Sequence, residues 1–124
     1  MRTILVFSLL ALAGSARAGF YTGNDLYPIC ETNGQLVFGY VAGVVDKQIY
    51  DVMVVNKLDN SPPGDPVAFA RKYRVGADIC YPEGMVLQQP RDVFCKYLAD
   101  HPESRQKDAE ILVQTGVSEA WPYK

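Results

Sequence analysis

QLVFGYVAGVVDKQIYDVMVVN, Gln35 to Asn56, carries the clearest period in the chain. Phe38, Val41, Val45, Ile49 and Val52 recur at intervals of three and four, which places them on one face of an α-helix. Asp46, Lys47 and Asp51 fall off that stripe. Gly39 and Gly43 stand one turn apart inside it. In a bilayer such a small-xxx-small pair mediates helix contact. Beside Asp46 and Lys47 it reads instead as a soluble helix whose glycines let a neighbouring helix come close. That arrangement costs about 1 kcal/mol of helix propensity per glycine.

Upstream of this helix, a shorter one is expected around Asn24 to Cys30. Thr22 and Asn24 are good N-cap residues, Asp25 suits the positive end, and Pro28 limits the length. Downstream, Lys57 to Asp78 reads as irregular chain. Pro62, Pro63, Gly64 and Pro66 break any helix there, and Val67 to Tyr73 has room for a turn or two. Cys80-Tyr81-Pro82-Glu83-Gly84 reads as a second turn.

A third helix is expected to start with Pro90 at its first position and Gln89 as a modest cap. Val93, Phe94, Tyr97 and Leu98 form its buried stripe, and His101-Pro102 stops it. A fourth runs from about Asp108 to Trp121 and is closed by Pro122. Ala109, Leu112, Val113, Val117, Ala120 and Trp121 share its inner face, with Glu110, Gln114, Ser118 and Glu119 toward water. No strand alternation competes with these helices. The expected fold is all-α: a compact bundle of about four helices, with a long Pro-rich loop between helices two and three.

Residues 1–18 read as a segment outside the fold. Arg2 gives a positive start, Ile4 to Ala13 is apolar, and Ala16-Arg17-Ala18 is a small-x-small cleavage site before Gly19. The apolar run is well short of the roughly 20 residues a spanning helix needs. The expectation is a Sec-type signal peptide, periplasmic export, and one helical domain over residues 19–124. Removing the leader takes away Arg2 and Arg17, leaving 10 basic and 14 acidic residues and a formal charge of −4. Such a chain lacks the basic footprint that nucleic acid or an anionic membrane surface selects.

Chemistry is sparse. His101 is the sole histidine, and Cys95, six residues before it on one helix, projects from a different face, which does not suit a thiol nucleophile and its base. Cys95 is better read as an apolar residue or disulfide partner, and His101 as a helix C-terminal residue favoured by the dipole. One histidine and scattered carboxylates leave no metal set, and Gly39 and Gly43 lie inside a helix, so they form no phosphate loop. No cofactor and no catalytic residue are expected. Cys30, Cys80 and Cys95 allow three pairings, each with one thiol left over.

Four stretches taken together resemble one family. They are Gly23-Asn24-Asp25-Leu26 with Cys30; Gly39-Tyr40-Val41-Ala42-Gly43-Val44-Val45-Asp46; Cys80-Tyr81-Pro82-Glu83-Gly84; and Arg91-Asp92-Val93 continuing to Tyr97-Leu98 and His101-Pro102-Glu103. In this order, after an N-terminal leader, they resemble the Rap/Tai family of type VI secretion immunity proteins. The resemblance implies an all-α periplasmic protein, often a homodimer, that blocks a peptidoglycan-cleaving amidase toxin by surface fit. Family members carry further cysteines before the Gly-Tyr motif and at the C-terminus, where this chain has Val37-Phe38 and Pro122-Tyr123-Lys124. The resemblance therefore implies a Cys30–Cys80 disulfide with Cys95 free. For such an inhibitor the Asn60 to Asp78 loop is the expected contact surface, with Asp59, Asp65 and Asp78 meeting a basic cleft and Tyr73 as an anchor. A small periplasmic stress or chaperone-like helical protein is the alternative.

Overall fold

The computed structural model describes residues 19–58 and 79–123. The chain is all-α: α1 Gly23–Leu26, α2 Ile29–Thr32, α3 Gly34–Leu58, α4 Gln88–Asp100 and α5 Ala109–Ala120, with a 3₁₀ turn at Pro102–Ser104 before α5. Among the described residues the β content is two isolated bridges, Thr22 with Asp108 and Ile79 with Pro122.

The helix expected around Asn24 to Cys30 is two separate turns. Pro28, with φ −66° and ψ −21°, starts α2 and offers no N–H to continue α1. The Asp25 carboxylate accepts from both the Thr22 N–H, at 2.8 Å, and the Thr22 hydroxyl, at 2.7 Å, which holds the first turn. Asn33 then opens α3, its backbone carbonyl accepting the Leu36 N–H at 3.2 Å. At the turn before α4, Gly84 has φ +75°, the left-handed value that the third residue of a type II turn requires, and Met85 N–H closes on Pro82 at 3.2 Å. Pro90 is the third residue of α4 rather than the first.

Phe94 and Leu98 of α4, Val37, Val41 and Val45 of α3, and Ala109, Leu112, Val113 and Val117 of α5 form one core, closed at one end by Leu26 and Cys30. α4 packs against both α3 and α5, which also contact each other directly. The inner face of α3 is rotated from the expected stripe. Val37 and Gln48 are buried beside Val41 and Val45, whereas Ile49 is 43% exposed. The buried glutamine is satisfied, since Gln48 Oε1 accepts from the Tyr81 hydroxyl at 2.7 Å.

The close approaches also fall elsewhere than expected. Among the described residues, nothing lies within 4 Å of a Cβ built on Gly39 or Gly43. A Cβ on Gly116 would meet Tyr97 Cβ at 3.1 Å, and one on Gly23 would meet Arg105 Cα and O at 2.9 Å. Gly116 and Gly23 are the positions where helix meets neighbour.

The disulfide joins Cys30 to Cys95, with α-carbons 5.9 Å apart, and Cys80 is the free, exposed thiol. This corrects the Cys30–Cys80 pairing. Arg91, one turn before Cys95 on α4, donates from Nη1 to the Cys30 carbonyl at 3.5 Å, so α2 and α4 meet at this point. Cys80 is tied elsewhere, its N–H donating to Trp121 O at 2.9 Å beyond the end of α5. A 12-residue helix is about 18 Å long, and Thr22 pairs at the start of α5, so Cys80 belongs to the end away from α1. The bridge spans 65 residues of sequence, and closing a loop of that length removes unfolded-state entropy worth about 4 kcal/mol.

Candidate interaction surface

Asp59, Asp65, Tyr73 and Asp78, the contact residues expected from the sequence, lie outside the described residues. Among the described residues, one concave feature is a groove of about 510 Å³ between α3 and α5. It is lined by Gly39, Tyr40, Gly43, Val44, Lys47 and Gln48 from α3 and by Glu110 and Gln114 from α5, with Asp51 at its far end.

Each side of the groove follows from a local rule. Positions 36, 39, 43, 46, 50 and 53 lie on the face of α3 away from the core, at the three-and-four spacing of a helical seam. Leu36, Tyr50 and Met53 are exposed on that face by 37, 62 and 53%. Gly39 and Gly43 leave bare backbone between them, which makes the floor apolar and open. Lys47 pairs with Asp51 one turn on, an exposed i,i+4 ion pair that ends the groove with both charge signs.

The other end is aromatic. Tyr21 meets Tyr40 edge to face, with ring centroids 5.6 Å apart and planes at 86°. The Tyr40 hydroxyl donates to Glu110 Oε2 at 3.3 Å. Burial of this phenol, reinforced by the negative charge of Glu110, pushes its ionisation well above the ordinary tyrosine range. Tyr40 is therefore a neutral donor at any physiological pH.

Sequence reasoning placed Glu110 and Gln114 toward water. They face the groove, because α3 lies alongside that edge of α5. The i,i+4 polar pair was a visible signal, but only the position of α3 turns it into a wall. Cys95 is consumed by the disulfide. His101 sits at the C-terminal end of α4, its Nδ1 3.0 Å from Glu103 Oε1 and its ring 4.4 Å from that of Tyr97. Thiol and imidazole are thus both engaged in structural contacts. Among the described residues no group of three or more histidine, cysteine or acidic side chains is placed to hold a metal, and no helix is long and apolar enough to cross a membrane.

The model of the Rap1a immunity proteins matches residues 22–123. The chain belongs to the Rap1a immunity protein family. Searches of curated proteins and of solved structures returned no match, so the family model alone carries the relationship. The match to the Rap1a family begins at Thr22, where the N-terminal segment pairs with Asp108, and takes in the five α-helices of the described residues. It points to a role in toxin immunity, carried out by binding a cognate toxin.

Proposed function

We propose that this protein is a periplasmic immunity protein of a type VI secretion system that binds a cell-wall-degrading, amidase-type toxin and blocks its substrate cleft without turning over a substrate. Membership of the Rap1a family carries this reading. The leader-like layout of residues 1–18 supports delivery to the compartment where peptidoglycan is cut, and an oxidising compartment suits the Cys30–Cys95 disulfide. Inhibition by occupation needs complementarity and a rigid frame rather than a reactive group. The disulfide-tied core supplies the frame. Contact is assigned to the Asn60 to Asp78 segment, with Asp59 beside it, and to the groove between α3 and α5.

The test is coexpression with amidase toxins encoded beside this chain and directed to the periplasm. The expected outcome is restored growth, together with a complex that survives size-exclusion chromatography. Continued lysis with each neighbouring toxin, and no complex, would end the amidase assignment. Chromatography of the free protein with light scattering settles whether it pairs with a second copy.

A further inference from the structure

The residue that follows the leader, Gly19, lies directly against a carboxylate. A Cβ built on Gly19 would sit 2.9 Å from Glu110 Oε1 and closer still to Oε2. The backbone directs it there. Ala109 N–H donates to Tyr21 O at 2.8 Å, Gly23 N–H to Lys107 O at 3.1 Å, and Thr22 bridges Asp108 in antiparallel sense. Continuing two residues back from Tyr21 along that antiparallel path carries the chain over the first turn of α5, where Glu110 stands. The Gly19 nitrogen is one bond of about 1.46 Å from the same Cα, so it falls within about 5 Å of the carboxylate.

We propose that removal of the leader after Ala18 creates an ammonium group on Gly19 that pairs with Glu110 and fastens the start of the mature chain across the aromatic end of the α3–α5 groove. This rests on the export and processing read from residues 1–18. Hydrolysis of the Ala18–Gly19 bond by a leader peptidase adds water: the hydroxyl goes to the Ala18 carbonyl, and the Gly19 nitrogen leaves as an amine that takes up a proton. Before cleavage that nitrogen is an uncharged amide and offers Glu110 no ion pair.

The surroundings favour the charged form. Among the described residues, Glu110 has no lysine or arginine in ion-pair contact; its hydrogen-bond donor is the neutral Tyr40 hydroxyl at 3.3 Å. Among the described residues, the titratable groups around Glu110 include Tyr40 from α3, which packs on Tyr21, and Asp108 at the start of α5, whose charge also reaches Tyr40. Lys47, beyond them in the groove, is already paired with Asp51. The positive end of the α5 dipole opposes an ammonium by roughly half a charge, and two carboxylates exceed it. A side chain at this position would make the Glu110 carboxylate, the far end of a flexible side chain, swing aside.

The pair has a positional consequence. Tyr21, two residues on, is the ring that packs on Tyr40, so fastening Gly19 orders the aromatic end of the groove. An immunity protein would then complete this face only after export, where its toxin acts.

The experiment uses four proteins: the chain beginning at Gly19, released from a cleavable tag, the chain retaining residues 15–18 with Arg17→Gln so that the leader's cation is gone, and Glu110→Gln in each. At pH 6 the substitution is expected to lower Tm by roughly 3–6 °C in the Gly19 chain and by under about 1 °C in the extended one. The Gly19 amine should titrate above its ordinary value of about 8. A raised pKa stabilises below that value and loses its effect as pH rises through the raised one, so the Tm difference should vanish by pH 10. Equal effects of Glu110→Gln in both backgrounds, or an unshifted amine, would overturn the pairing. N-terminal sequencing of the exported protein checks the processing separately. A start other than Gly19 overturns the proposal at that step, whatever the cycle reports.

Discussion

Two pairs of glycines divide this molecule. Gly23 and Gly116 are buried at close contacts, one against the Arg105 backbone and the other against Tyr97. Gly39 and Gly43 are equally helical and stand one turn apart on α3, yet among the described residues they meet nothing within 4 Å. Spacing in the sequence marks only the open pair, and it does not say whether a neighbour arrives. The packed pair serves the fold. The open pair costs helix propensity with no packing return among the described residues, and it floors the groove.

The largest effects are expected at the packed pair. Gly23→Val should destabilise by about 3 kcal/mol, because the added carbons meet backbone that cannot move aside. Gly116→Val should cost about 2 kcal/mol, since the Tyr97 side chain can give by a few tenths of an ångström. Urea midpoints of the two variants, measured without reductant, check both values. Destabilisation below about 0.5 kcal/mol at either site would erase the distinction between the pairs.

Next comes binding at the open pair. Gly43→Trp should leave the chain folded, because the position is exposed and tryptophan favours helix more than glycine does. If the groove receives the toxin, this variant should weaken the complex at least tenfold, or about 1.4 kcal/mol, by calorimetry. Unchanged affinity would shift the contact to residues 59–78.

The inner face of α3 gives a pH counterpart. Burial pushes Tyr81 up to about 12 from the ordinary tyrosine value of 10.0. A raised pKa means that its stabilising contribution is complete below about 10 and disappears as pH rises through about 12. Alkaline denaturation should therefore steepen over that window, and Tyr81→Phe should flatten it. The same variant should lose about 1 kcal/mol at neutral pH through the bond to Gln48. The smallest expected effect returns to the open pair: Gly39→Ala and Gly43→Ala should each raise stability by about 0.5–1 kcal/mol, seen as a higher Tm.

Much of the fold was legible because long amphipathic stripes are strong signals. α3, α4 and α5 lie within two residues of where periodicity and caps place them, and Thr22, His101 and Asp108 act as boundary residues. The finer register of α3 was not legible. Its apolar residues nearly surround the helix, so Phe38 and Ile49 compete with Val37 for the core, and only tertiary packing selects Val37, with a hydrogen bond to Tyr81 making Gln48 acceptable inside. The disulfide failed for a related reason: three cysteines with even exposure to pairing rules carry no distance information, and the resemblance to a family with additional cysteines favoured the wrong pair. At the groove, Tyr40 and Glu110 are 70 residues apart, and no local pattern joins them. Gly19 was visible only as a cleavage-site neighbour, since its relation to Glu110 depends on the antiparallel course of residues 21–23.

Cys30 and Cys95 also enclose residues 59–78 within one covalent ring. A single cut by a protease anywhere between the two cysteines would open that ring without dividing the protein, because both fragments would remain one molecule until the bridge is reduced. In the exported role proposed above, the bond would thus act as insurance against fragmentation, a service independent of anything it adds to folding.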